Sequence, residues 1–179
     1  MLAHRVVWLA LVVSACGTPA VVEPSPSTVA PASVAAATPR PSLDGHPLSE
    51  LLPTSITGVE TKVTDLEPVN RNSPRVFLKV IARLGETPDD GEVALAFIPQ
   101  STVYAVRVDG ASGMDILIAY LDERGYRADE SPPTESVGGK AATRLGSAGG
   151  VFLYATEDLF FYVNCTDDQR AADLLQLLP

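Results

Sequence analysis

The sequence predicts an α+β domain in two layers, an antiparallel sheet with its helices on one face. Three observations carry this. Three stretches between residues 73 and 179 place apolar residues at helical spacing, and strand-length runs lie between them. The order hairpin, acidic cap, amphipathic helix also occurs twice, over 92–124 and 151–178, which suggests two ββα units. Shifted by 58 positions, Asp109 falls on Asp167, Asp115 on Asp173 and Ile116-Leu117 on Leu174-Leu175. That echo reads either as a duplication or as two units obeying the same local physics.

Taken in order, residues 46–54 predict a short helical turn ended by Pro53, and 56–66 a weak strand at a sheet edge. Ser73 as N-cap and Pro74 as the first helical residue then open a helix whose apolar stripe is Val76, Phe77, Val80, Ile81 and Leu84, with Gly85 as its stop. Residues 92–98 and 103–109 read as strands joined by Pro99-Gln100-Ser101-Thr102. In the second strand Tyr104, Val106 and Val108 share one face. A second helix over 112–124 carries Ile116, Leu117, Tyr120 and Leu121 on one stripe and Asp122, Glu123 and Arg124 on the wet side. Residues 131–134 are a loop, 136–145 a bent or broken strand, and 146–150 a turn.

The clearest hairpin is 151–156 with 159–165, turning at Glu157-Asp158, and Thr166 to Gln169 fits a capping box for a last helix that buries Ala171, Leu174, Leu175 and Leu178. Half of the chain's Phe and Tyr lie in this hairpin: Phe152, Tyr154, Phe160, Phe161 and Tyr162. A two-residue turn sets Tyr154 opposite Phe161, Phe152 opposite Val163, Leu153 opposite Tyr162 and Ala155 opposite Phe160, so both faces are apolar. Matching Tyr104, Val106 and Val108 to Phe161, Val163 and Cys165 turns all six toward the helices. Leu153, Phe160 and Tyr162 are then on the far face, which either lies under the N-terminal segment or is exposed as a candidate docking surface.

The N-terminal part follows different rules. A basic residue, Arg5, precedes the apolar run of residues 6–13, which is too short to span a bilayer and ends in small residues, the pattern of a secretory signal peptide. Residues 17–45 are dominated by Ala, Pro, Ser and Thr and contain no aromatic, so they cannot bury enough surface to offset the entropy of ordering. The expected organisation is a signal peptide at 1–15, a modified Cys16 with a tether at 16–45, and an α+β domain at 46–179.

Val13-Ser14-Ala15-Cys16 resembles the lipobox of bacterial lipoproteins. The resemblance implies cleavage before Cys16, attachment of palmitate-class acyl chains to it, and residence on the extracytoplasmic face of the cell membrane. Multiple chains at about 0.8 kcal/mol per CH₂ make a stable anchor. The segments LGETPDDGEVALAF, GGKAATRL and VFLYATEDLFFYV, from Leu84, Gly138 and Val151 respectively, are similar to an uncharacterised extracytoplasmic domain of bacterial lipoproteins of Chloroflexi type. That similarity spans about residues 73–179 and implies no established activity.

Several chemistries find no support in the residues. The net charge is −9, and only Arg5 and Arg40 among the Lys and Arg precede residue 46, so the domain itself is acidic and no nucleic-acid partner is expected. Cys16 and Cys165 share no zinc-site spacing, and no phosphate-binding loop, G-x-S-x-G or H-E-x-x-H is present. His46 reads as a solvated loop residue. The acidic pairs at Asp89-Asp90, Asp122-Glu123, Asp129-Glu130, Glu157-Asp158 and Asp167-Asp168 lack the alternating spacing that wraps calcium. Cys165 reads as a buried, inert thiol. The expectation is therefore no catalytic residue, no metal and no cofactor. The predicted function is a membrane-anchored binding or cell-envelope accessory module, with an envelope protein as partner; the alternative is a carrier of a small hydrophobic ligand or lipid.

Overall fold

The middle strand of the sheet is Leu159–Cys165, and its neighbours on both sides run antiparallel to it. The computed structural model describes residues 46–66, 74–127, 130–146 and 149–179, all within one compact unit, Pro41–Pro179. The signal segment, Cys16, the tether, Ser73 and Asp129 lie outside the described residues.

A 3-10 turn at Leu48–Leu51 comes first, as the apolar spacing and Pro53 predict. The single strand expected over 56–66 is instead a two-residue pair, β1 (Ser55–Ile56) and β2 (Val59–Glu60), followed by β3 (Lys62–Asp65). Thr57 and Gly58 both take positive φ between β1 and β2, the turn geometry that closes a tight hairpin. Next come α1 (Arg75–Arg83), β4 (Gly91–Ile98), β5 (Ser101–Val108) and α2 (Gly113–Glu123). The chain ends with β6 (Thr134–Val137), β7 (Lys140–Leu145), β8 (Gly150–Thr156), β9 (Leu159–Cys165) and α3 (Asp168–Leu177).

The main sheet has seven strands in the order β3-β4-β5-β9-β8-β7-β6, every neighbouring pair antiparallel. This is the α+β class the sequence predicts, with β3 at one edge. Three local details differ from expectation. Only Pro99 and Gln100 turn between β4 and β5, with Gln100 at φ 64°, so Ser101 and Thr102 already belong to the ladder. The stretch 136–145 is no broken strand: Gly138 and Gly139, at φ 58° and 78°, fold it into the β6–β7 hairpin. The cap of α3 is Asp167, which accepts from the Arg170 amide, while the Gln169 side chain donates to Asp173.

The register inside the β8–β9 hairpin is the one predicted, with Tyr154 against Phe161 and Leu153 against Tyr162. The assignment of its faces needs correction. Tyr104 pairs with Tyr162 and Val106 with Phe160, whereas Ala105 pairs with Phe161 and Val103 with Val163. Tyr104, Val106 and Val108 therefore share a face with Leu153, Phe160 and Tyr162, and Phe161, Val163 and Cys165 point the other way. A match displaced by one residue exchanges the two sides of a strand, and the 58-residue echo, which sets Tyr104 on Tyr162, holds the true register.

Both faces are covered. On the first, Phe77, Val80 and Ile81 of α1 and Ile116, Leu117 and Tyr120 of α2 pack on Val93, Val106, Leu153 and Phe160. On the second, Ala171, Leu174 and Leu175 of α3, with Leu48 and Leu52, pack on Ala105, Phe152, Phe161 and Val163. Two helices thus gather on one face as expected, and the third adds a layer to the other. The strand ends account for this: Val108, the last residue of β5, faces the α1/α2 side and four residues lead to α2, whereas Cys165 ends β9 facing the other side and two residues lead to α3.

Candidate functional site

The proposed docking residues do not form a free surface. Leu153 and Phe160 are 0% exposed beneath α2, and only Tyr162 is half-buried. An apolar sheet face of this width must be covered or aggregate, and here the fold covers it from within the domain.

Tyr162 instead belongs to a pocket on the α1/α2 face of the β5–β9 pair. Its lining includes Val76 and Phe77 at the start of α1, Thr102 and Tyr104 of β5, Tyr162 and Asn164 of β9, and Tyr120 and Arg124 near the end of α2. Each element supplies these groups for a local reason. Tyr104 and Tyr162 are directly opposite in the ladder, with Thr102 opposite Asn164 two residues along on the same face. Tyr120 and Arg124 are one helical turn apart, the spacing at which two side chains meet. The cavity measures about 230 Å³.

Four aromatic rings make its wall. Phe77 and Tyr104 stand edge to face at 5.3 Å, Tyr104 and Tyr162 at 5.9 Å, and Tyr120 and Tyr162 at 5.9 Å. The Arg124 guanidinium carbon lies 5.7 Å from the centre of the Tyr120 ring. Tyr120 is fully buried, and its hydroxyl makes no hydrogen bond of normal geometry. Burial raises the pKa of Tyr104, Tyr120 and Tyr162, while the Arg124 guanidinium partly offsets this at Tyr120 and Tyr162. At neutral pH all three are therefore neutral hydroxyls, able to donate a hydrogen bond and poor as bases.

Several other residues singled out by the sequence are engaged structurally. Asp122 pairs with Arg83, and Glu123 with Lys79, whose ammonium is the main cause of its lowered pKa. Asp158 accepts from Arg107 Nε at 2.8 Å, and Glu92 from the same guanidinium at 3.0 Å. Asp168 accepts from Arg144 and from the Gly149 amide, and Asp90 caps its own turn through Thr87. Among the described residues no cluster of three or more His, Cys, Asp or Glu is placed to hold a metal ion. His46 is exposed beside Glu50. Burial pushes the Cys165 thiol up to about 11.

Strand alternation and helical spacing place Tyr104 and Tyr120 on apolar faces and Arg124 on the wet side, with nothing to show that they meet. The signal that joins them is the pairing of Tyr104 with Tyr162 at the echo offset. No family model, curated protein or solved structure matches the chain. Among the described residues no helix is long and apolar enough to cross a membrane.

Proposed function

We propose that the chain is a lipid-anchored lipoprotein of the extracytoplasmic face of the cell membrane, and that its folded domain is a non-catalytic binding module. The observation that carries the anchor is the apolar run of residues 6–13 followed by Val13-Ser14-Ala15-Cys16. The Ala/Pro/Ser/Thr-rich residues 17–45 support it, because such a chain spaces a domain from its attachment point, with an r.m.s. reach on the order of 30 Å. The binding half of the reading is supported by the tyrosine pocket, whose neutral phenols and guanidinium orient a ligand without supplying a strong base.

The carrier reading needs the layers to part around a lipid-sized space. Phe152 and Phe161 on one face and Leu153 and Phe160 on the other are all fully buried, which favours the module. The test is growth with radiolabelled palmitate. The wild-type chain should take up label and stay with the membrane fraction, and Cys16→Ser should lose both. Equal labelling and retention of the two would overturn the anchor.

A further inference from the structure

We propose that Tyr104, Tyr120, Tyr162 and Arg124 form a binding site for a small organic monocarboxylate with a flat apolar body. The inference rests on the binding-module reading and names the chemistry of its ligand. The lining decides the ligand's polarity. The guanidinium only donates and each phenol can donate one hydrogen, so an acceptor is the group that suits all of them. The Tyr120 hydroxyl is buried and makes no hydrogen bond of normal geometry, with the Arg124 guanidinium as its polar neighbour, a condition that native interiors rarely leave uncompensated.

Arg124 supplies the charge. Its neighbours Asp122 and Glu123 are taken up by Arg83 and Lys79, and among the described residues no carboxylate pairs with Arg124 itself. A guanidinium at the rim of a partly desolvated pocket matches the two oxygens of a carboxylate. An aromatic wall alone would also suit an organic cation, but the guanidinium over the Tyr120 ring already occupies that role and repels a second positive charge. The domain's acidity sets a further limit. With a net charge of −9 and one arginine at the site, a monoanion is favoured over a phosphate dianion or a polyanion. A cavity of about 230 Å³ has room for a single ring. The edges of Phe77, Tyr104 and Tyr162 line it for such a ring.

The experiment is isothermal titration of the full chain in detergent with benzoate, alongside benzyl alcohol and benzyltrimethylammonium as neutral and cationic probes of similar shape. Benzoate should bind saturably and more tightly than either. Arg124→Gln should weaken it by about tenfold or more, the loss of a charge-assisted hydrogen bond. Tyr120→Phe should weaken it by about fivefold, the loss of a neutral one. Thermal melts of both variants should stay close to wild type, which separates a lost ligand contact from a lost fold. Absence of saturable benzoate binding, or binding that neither variant weakens, would overturn the proposal. Preferential binding of the cation or the alcohol, weakened by Tyr120→Phe, would overturn the carboxylate while leaving a binding module in place; the palmitate labelling is independent of all of these outcomes.

Discussion

Gly138 shows how much one hydrogen atom in place of a methyl decides. It turns the β6–β7 hairpin at φ 58°, and a Cβ there would collide with the Ala172 carbonyl of α3. Gly139 also has positive φ, at 78°, but open space around it. Gly139→Ala is expected to lose only about 1–2 kcal/mol of stability, through backbone strain alone. Gly138→Ala should lose about 2–3 kcal/mol or more, because strain and collision add. Urea midpoints of the two variants check the order. Cys165 makes a second residue-scale prediction. With its thiol pushed up to about 11 by burial, a Cys16→Ser chain should stay unlabelled by a thiol reagent at pH 8 until denaturant is added. Rapid stoichiometric labelling of the native protein would contradict that burial. This inert thiol was legible in the sequence from its apolar neighbours. The role of Arg124 was not, because whether a helix-end arginine is solvated or meets an aromatic wall depends on which strands lie beneath the helix.

At the scale of elements, α2 is held at its start by reciprocal bonds. The Asp115 amide donates to the Ser112 hydroxyl at 3.1 Å, and the Asp115 carboxylate accepts from the Ser112 amide at 3.0 Å. The Ser112 hydroxyl also donates to that carboxylate at 2.6 Å, and this bond first, then the one from the Ser112 amide, keeps the Asp115 carboxyl below its usual range. Ser112→Ala should cost about 1 kcal/mol, read from thermal melts. In the β8–β9 hairpin, the covered faces predict that Phe160→Ala and Phe161→Ala are equally severe, each about 3–5 kcal/mol, since both are fully buried on opposite sides. A mild Phe160 variant would mean that α2 does not cover it in solution. Element types and the hairpin register were legible because strand alternation and turn residues are local signals. The face of each helix was not, since it depends on which side the last strand residue points and how many residues follow. Gly138-Gly139 carries a turn signal, because paired positive φ is what such a hairpin needs, but two glycines within a strand-length run are equally the mark of a break.

For the whole molecule, the packed tyrosines link stability to alkali. Burial raises their pKa above the ordinary value of 10.0, so the unfolded chain loses its phenolic protons at lower pH than the folded one. Their contribution is fully present below pH 10 and is lost as pH rises through the folded values. Melts across this range should fall in step with phenolate absorbance, and less steeply in Tyr120→Phe; identical slopes would detach Tyr120 from the effect.

The helices on opposite faces also bear on ancestry. Turned by half a rotation about the sheet normal, β4–β5 superposes in direction on β8–β9, but α2 then lies in front of the sheet where α3 lies behind it. The two ββα units are of opposite hand. Copying a stretch of gene reproduces chirality together with sequence, so a faithful copy would have kept both helices on one side. The recurring order of hairpin, acidic cap and helix is thus better ascribed to convergence on the same local rules than to inheritance from one ancestral half.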